Sequence, residues 1–373
     1  MRIRSTLSTI MAALLLTMAV THTAAQVPAS TDVQAQAAAM TLTSADLPTG
    51  FTLTGETFLP LPDASIVPGV SAHYVSVYTN TTSGQQIRSY VYVFENEEQA
   101  TAGIEVIEGN EAETLTDTQL EIGTGNSELS VGTYETEDGK VIGTADVTFL
   151  SGSVVAGVAV DNPDGSEPDS KLATDLATLS ATRITAVQGG ESTEALDLTA
   201  KIVPVNQSGT VIQAGFLNAG ESEAIYGTQG SALSGLSSSW VQTVAYGEAG
   251  AAPRVTIGIT TFASPEEATA VVEQSDSIFQ PLTDQEKVED VTLEGADSVV
   301  AYRYTSRDGS IADQESYRII FSQGELVTVV DVQGAPDTET AQAAANAISV
   351  SQVSCQGSGT CEMPVAPGVI PGE

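Results

Sequence analysis

Phe94-Glu-Asn-Glu-Glu-Gln-Ala-Thr-Ala102 recurs as Phe262-Ala-Ser-Pro-Glu-Glu-Ala-Thr-Ala270, 168 residues further along (262 less 94). The register extends without gaps back to Tyr78 and Tyr246. Forward of it, Tyr134 with Asp138-Gly139 answers to Tyr304 with Asp308-Gly309 at an offset of 170, and Phe149 with Gly152 to Phe321 with Gly324 at 172. Two small insertions account for the drift. Solenoid units run to roughly 20 to 50 residues, so this period marks a duplicated domain.

Reading two aligned copies together predicts one order of elements. Tyr74 to Tyr78 and Ile87 to Phe94 alternate like strands about the turn residues Asn80 to Gly84, and copy two repeats this from Val241 to Tyr246 and Val255 to Phe262. A helix starts at Asn96, with Gln99 spaced to close a capping box. Its counterpart starts at Ser264, with Pro265 in the first helical position and Glu267 three residues after the cap. Ala100, Gly103, Ile104 and Ile107 line one face of the first helix, and Ala268, Val271, Val272 and Ser275 one face of the second. Three further strands follow in each copy, with Asp-Gly turns at 138 and 308. A second helix closes each, marked by Leu172, Leu176 and Leu179 in the first and by the Ala-rich run from Thr340 to Ile348 in the second. Consecutive strands interrupted and ended by helices predict an α+β fold, two tandem domains each an antiparallel sheet with helices packed on it.

The boundaries follow from composition. Arg2 and Arg4, the apolar run from Ile10 to Val20 and the small residues Thr23, Ala24 and Ala25 read as a cleavable secretory signal over 1–25, the apolar run being far short of the roughly 20 residues that span a bilayer. Residues 26–39 read as a linker, 40–187 as the first domain, 188–208 as a Gly-rich linker and 209–354 as the second domain. Residues 355–373 read as a disulfide loop and a tail with three prolines. Cys355 and Cys361 are the two cysteines of the chain, and in an oxidising compartment they most simply pair. The expected location is secreted, outside the cell.

The opening Leu42-Thr-Ser-Ala-Asp-Leu-Pro-Thr-Gly-Phe51, followed by two strands and a Phe-x-[Asn/Ser]-x-Glu-[Gln/Glu]-Ala helix start, resembles a class of exported bacterial sensor-type or accessory proteins and lipoproteins. These are similar in layout to the PsbP-like fold. The resemblance covers the first copy to about residue 182 and implies a non-enzymatic accessory, sensor or binding domain without catalytic residues.

The chemistry the chain can carry is restricted. Without the leader, 48 acidic residues face 12 less 2 basic ones, a formal charge of −38. Such a surface repels phosphate backbones and anionic headgroups, so neither nucleic acid nor membrane is expected as a partner. His22 leaves with the leader and His73 is then the one histidine. A Ser-His-Asp triad would have to use it, and no G-x-S-x-G elbow accompanies any serine. Zinc lacks its Cys and His ligands, no nucleotide-binding glycine motif is present, and no cofactor is expected. One loop, Asp161-Asn-Pro-Asp-Gly-Ser-Glu-Pro-Asp169, gathers hard oxygen ligands in Asp161, Asp164, Glu167 and Asp169 and is a candidate for weak Ca²⁺ binding, although its spacing is not that of an EF-hand. The alternative is a polar turn leading into a helix cap. Trp240, the single tryptophan, reads as core packing or a ligand contact.

Comparing sheet faces leaves one more candidate. Ile87, Val91 and Val93 match Val255, Ile259 and Thr261 as a helix-covered face, whereas Arg88, Tyr90 and Tyr92 stand where copy two has Thr256, Gly258 and Thr260. That cluster is either a binding face peculiar to copy one or packing against another layer. The sequence therefore points to a secreted, non-enzymatic binding or accessory protein with an unidentified extracellular ligand or protein partner. An extracellular hydrolase and a structural envelope component are the alternatives.

Overall fold

The structure, a computed structural model, describes residues 31–58, 67–108, 115–136, 139–191, 193–204, 209–217, 236–247, 252–278, 285–305 and 314–370. The signal segment 1–25 lies outside them, as do Asp138 and the Asp308-Gly309 turn. Among the described residues, 36–193 form one compact unit, and 194–370 together with 31–35 form the other.

Unit one contains the second half, from Gln36, of α1 (Thr31–Met40), then β1 (Phe51–Phe58), β2 (Val70–Asn80), β3 (Gln86–Phe94), α2 (Glu97–Glu108), β4 (Thr116–Gln119), β5 (Ser127–Glu135), β6 (Val141–Ser151), β7 (Val154–Asn162) and α3 (Ser170–Gln188). Its strands form one antiparallel sheet in the order β1-β2-β3-β7-β6-β5-β4. The chain builds one half by hairpins, crosses through α2 to the far edge, and works back until β7 seals against β3. The reason is legible in composition. Val154-Val-Ala-Gly-Val-Ala-Val160 is apolar at every position and buried on both sides, which suits a central strand, and Thr116-Asp-Thr-Gln119 is wholly exposed, which suits an edge.

Unit two contains α4 (Glu194–Thr199), β8 (Thr210–Phe216), β9 (Leu236–Ala245), β10 (Arg254–Phe262), α5 (Pro265–Ile278), β11 (Glu286–Val288), β12 (Ser298–Thr305), β13 (Glu315–Gln323), β14 (Leu326–Ala335) and α6 (Thr338–Ser358). The sheet order is β8-β9-β10-β14-β13-β12-β11. It is the order of unit one, strand for strand. Among the described residues, two seven-stranded antiparallel sheets with six helices packed around them form the tandem α+β domains expected from the repeat.

Local signals recur with the topology. Asn96 and Ser264 each accept a backbone N–H three residues on, from Gln99 and Glu267. The closing helices α3 and α6 are capped alike by Asp169 and Asp337, which accept from Leu172 and Thr340. Gly152 and Gly324, at φ 60 and 59°, turn the β6–β7 and β13–β14 hairpins in a left-handed conformation that glycine adopts without steric cost.

Four expectations are corrected. Gln99 does not close a capping box, because its Oε1 is buried without a hydrogen-bond partner against Gly69. The stretch 26–39 is not merely a linker: from Thr31 it is helical, its Ala37, Ala38 and Ala39 are buried, and Arg183 of α3 donates to the Ala39 carbonyl. The linker 188–208 contains α4, with Ala195 and Leu198 buried. Cys355 lies inside α6 instead of in a loop; it is disulfide-bonded to Cys361, just beyond the cap residue Gly359. Among the described residues no helix is long and apolar enough to cross a membrane.

Candidate functional site

The two faces of the first sheet differ. Residues Ile87 and Val91 are buried on the face that carries α3 and residues 37–42, where the Leu42 N–H donates to Ser89 Oγ and the Tyr78 hydroxyl donates to the Leu42 carbonyl. The opposite face presents Arg88, Tyr90, Tyr92 and Phe94. Helix α2 covers its Phe94 end, where Ala100 and Ile104 pack with Tyr90, Tyr92, Leu150 and Val155. Both faces are thus covered at that end, and Tyr90 and Tyr92 are core residues, each 4% exposed.

Charge gathers at the other end. Strand register places Asp146 opposite Ala159 and Ala159 opposite Arg88, so these three form one row across β6, β7 and β3. Arg88 Nε donates to Asp161 Oδ2 at 2.7 Å, and its Nη2 lies 3.4 Å from Oδ1, with 23% and 5% of the two side chains exposed. Tyr90 reaches across β7 to β6, where its hydroxyl donates to Asp146 Oδ1 at 3.0 Å and lies 2.6 Å from Thr148 Oγ1. Gly157 makes this reach possible: a Cβ there would stand 2.2 Å from the Tyr90 ring. Half-buried Tyr134 stands on the same face.

The electrostatics follow from burial and neighbours. Burial disfavours charge on Arg88, but Asp161, Tyr134 and Asp146 more than offset it and hold the guanidinium firmly protonated. The Asp146 carboxyl is pushed above the usual range by burial, with Arg88 opposing and Asp161 adding to the rise. The Tyr134 phenol is raised by burial and by Asp161 and Asp146, against Arg88. His73 stacks on Tyr92 at 4.1 Å and 15°, its two ring nitrogens buried without hydrogen-bond partners among the described residues. Burial lowers its pKa to about 3, which leaves a neutral imidazole at ordinary pH.

The residues of the proposed Ca²⁺ loop turn to separate tasks. Asp161 pairs with Arg88, Asp164 accepts from the backbone and hydroxyl of Ser166, and Asp169 caps α3. Glu167 is exposed. No group of three His, Cys, Asp or Glu among the described residues is placed to hold a metal ion. What the sequence missed is the link between its two candidates: Asp161 of the loop and Arg88 of the face are one ion pair. Opposite charges at two strand positions carried no signal of it, because β3 and β7 are neighbours only once the crossover is known. Asp146 and Tyr134, from strands read only as strands, complete the cluster.

The corresponding face of unit two is organised differently. Arg318 of β13 bonds Asp331 of β14, the Tyr304 hydroxyl donates to the same carboxylate, 2.6 and 2.7 Å from its two oxygens, and Gln333 Nε2 donates to Asp331 Oδ2 at 3.0 Å. Burial and Asp331 together raise the Tyr304 phenol. Trp240 is fully buried edge-to-face with Phe216, which places it in packing.

No family model matches the chain, the PsbP-like one included, and no curated protein matches it. Among solved structures it is similar to the extracellular domain of PknH from Mycobacterium tuberculosis, at 11% identity over 43% of this chain and 98% of that one, with a TM-score of 0.28. A likeness at that level says nothing of ligand or role.

Proposed function

We propose that the protein is an exported, non-enzymatic binding or accessory module whose ligand face lies on the first unit. One observation carries the reading: a shared fold has kept a self-satisfied ion-pair cluster in unit two and a half-open one in unit one. In unit two the Asp331 carboxylate is enclosed by Arg318, Tyr304 and Gln333. In unit one Asp146 has one described hydrogen bond, from Tyr90, and is only half buried. The signal-like leader and the disulfide support export. Against a hydrolase, His73 is buried, neutral and without a carboxylate partner among the described residues, so it lacks the contacts of a general base.

The test is a thermal-shift screen of the secreted chain against ions, envelope polymers and small metabolites. A ligand should raise the melting temperature, its effect lost in Tyr134→Ala and retained in Tyr304→Phe. Turnover of an esterase, peptidase or glycosidase substrate that survives purification to homogeneity would overturn the reading.

A further inference from the structure

The stretch that follows α6, expected as a tail, is packed against unit two. Within it Ala366, Val369 and Ile370 are 4, 2 and 0% exposed. They sit on a tight hook, in which the Ala366 N–H donates to the Ile370 carbonyl and the Val369 and Ile370 N–H groups donate to the Ala366 carbonyl. Five residues cannot enclose their own side chains, so the surface that receives them belongs to the body of the unit. Gly368 fixes its place: a Cβ there would stand 2.8 Å from Thr340 Cγ2 and 3.9 Å from Pro336 Cγ.

Unit one fills the corresponding corner with its own chain. Between β7 and the α3 cap, from Asn162 to Asp169, its loop folds back on β6, where a Cβ at Gly143 would meet the Ser166 carbonyl oxygen at 1.9 Å and one at Gly165 would stand 3.3 Å from Val141. In unit two Pro336 alone separates β14 from the cap Asp337. The hook arrives at the corner where that loop is lost.

The hook is weakly fastened and tightly tethered. Among the described residues no hydrogen bond joins 362–370 to the rest of the unit, so apolar burial holds it. Its tether leaves Cys361, whose Cα is 4.3 Å from that of Cys355. From there it has to run back along α6 to Thr340, a distance of fifteen helical residues (355 less 340) or about 22 Å. The seven residues available (368 less 361) reach at most about 25 Å, so the strap is drawn almost straight. Short connections under strain favour exchange of an identical element between two chains over closure within one. The fit specifies the occupant as well, because Gly368 has a φ of 84° and almost no room for a side chain, a requirement that a second copy meets with its own Gly368. We propose that unit two docks the strap 362–370 of a second copy of this chain, the two chains exchanging straps in a closed dimer.

Sizing chromatography with light scattering on the full secreted chain tests this. The expected result is a monomer at about 0.01 mM and a dimer fraction that grows towards about 1 mM, the effective concentration that a short tether supplies. Four Gly/Ser residues inserted after Glu362 give the strap slack to close on its own chain and should cut the dimer fraction several-fold. Ile370→Asp and Gly368→Val spoil the hook and should abolish the dimer while leaving the dock vacant. A labelled peptide of residues 362–370 should then bind either full-length variant saturably, and the same peptide carrying Gly368→Val should not. Circular dichroism identical to that of the unsubstituted chain establishes that the variants fold; should neither fold, the unsubstituted and lengthened chains decide. A monomer at about 1 mM, a dimer unchanged by the insertion or by the hook substitutions, or folded hook variants that ignore the peptide would each overturn the inference.

Discussion

The two units hold the same seven strands in the same order, yet each has its buried Arg–Asp pair at different positions. Arg88 and Asp161 of the first correspond to Thr256 and Gln333 of the second; Arg318 and Asp331 of the second correspond to Asp146 and Ala159 of the first. Packing shows the same exchange. Tyr90 lies across Gly157 in one unit, where Gly258 faces Val329 in the other. The His73–Tyr92 stack is replaced by a hydroxyl pair, Ser239 Oγ to Thr260 Oγ1 at 2.7 Å. Topology is carried by main-chain pairing and the apolar face, both of which tolerate substitution of compatible volume. A buried ion pair has to be complete wherever it stands, so it moves as a unit or not at all.

That comparison breaks outright if the units do not fold alone. Fragments Gln36–Thr193 and Glu194–Glu373 are each expected to melt in one cooperative transition by calorimetry, and a transition seen only for the whole chain would reduce the duplication to one fused body. The next largest effect is expected at Asp331, whose removal strands a buried guanidinium and a phenol. Asp331→Ala should cost unit two about 3 to 5 kcal/mol in urea unfolding, while Asp161→Ala, which leaves Arg88 partly in water, should cost unit one clearly less. Equal losses would mean that the two clusters are equally closed.

Gly157→Ala should destabilise unit one by about 1 to 3 kcal/mol, because the new methyl meets the Tyr90 ring. Combined with Tyr90→Gly, which itself empties a core position, the total loss should be smaller than the sum of the two single losses, and a double-mutant cycle without favourable coupling would argue that the two residues do not compensate each other.

Acid distinguishes the units at His73. Its folded pKa is depressed from 6.5 to about 3, so the unfolded chain takes up a proton that the folded one refuses. The stability is complete above 6.5 and falls as the pH drops from there towards 3. By pH 5 unit one should lose about 2 kcal/mol from this group, a loss that His73→Ser, the residue of unit two, should remove. A pH profile identical in that variant would leave the acid sensitivity to other groups. An effect of similar size is confined to unit two: Cys361→Ser opens a short loop, for about 2 kcal/mol in the chain-entropy model, and should leave the unit-one transition in place.

Much of the fold was legible in the residues. The aligned copies located the central strands, the helix starts at 96 and 264 and the closing helices, because two sequences with one pattern average out local ambiguity. The strands β1, β4, β8 and β11 were not located, since edge strands such as Thr116-Asp-Thr-Gln119 need only one partner and show no apolar face. The ungapped match of Tyr78 to Tyr246 also slipped. In the ladders Trp240 lies opposite Ile259 as Tyr74 lies opposite Val91, so the true mate of His73 is Ser239. The hairpin connection spans 80–85 in one copy and 246–253 in the other, and only strand pairing reveals where the two extra residues sit.

By itself the sequence determined the duplication, the α+β class, the disulfide pair and the acidity, all of which are properties of pattern, composition or near neighbours along the chain. Tertiary structure alone decided that Arg88 meets Asp161, that Asp146 is left with an unmet oxygen and that Asp331 is not. Those contacts join strands 13 to 73 residues apart, and a charge has no periodicity from which such a partner could be read.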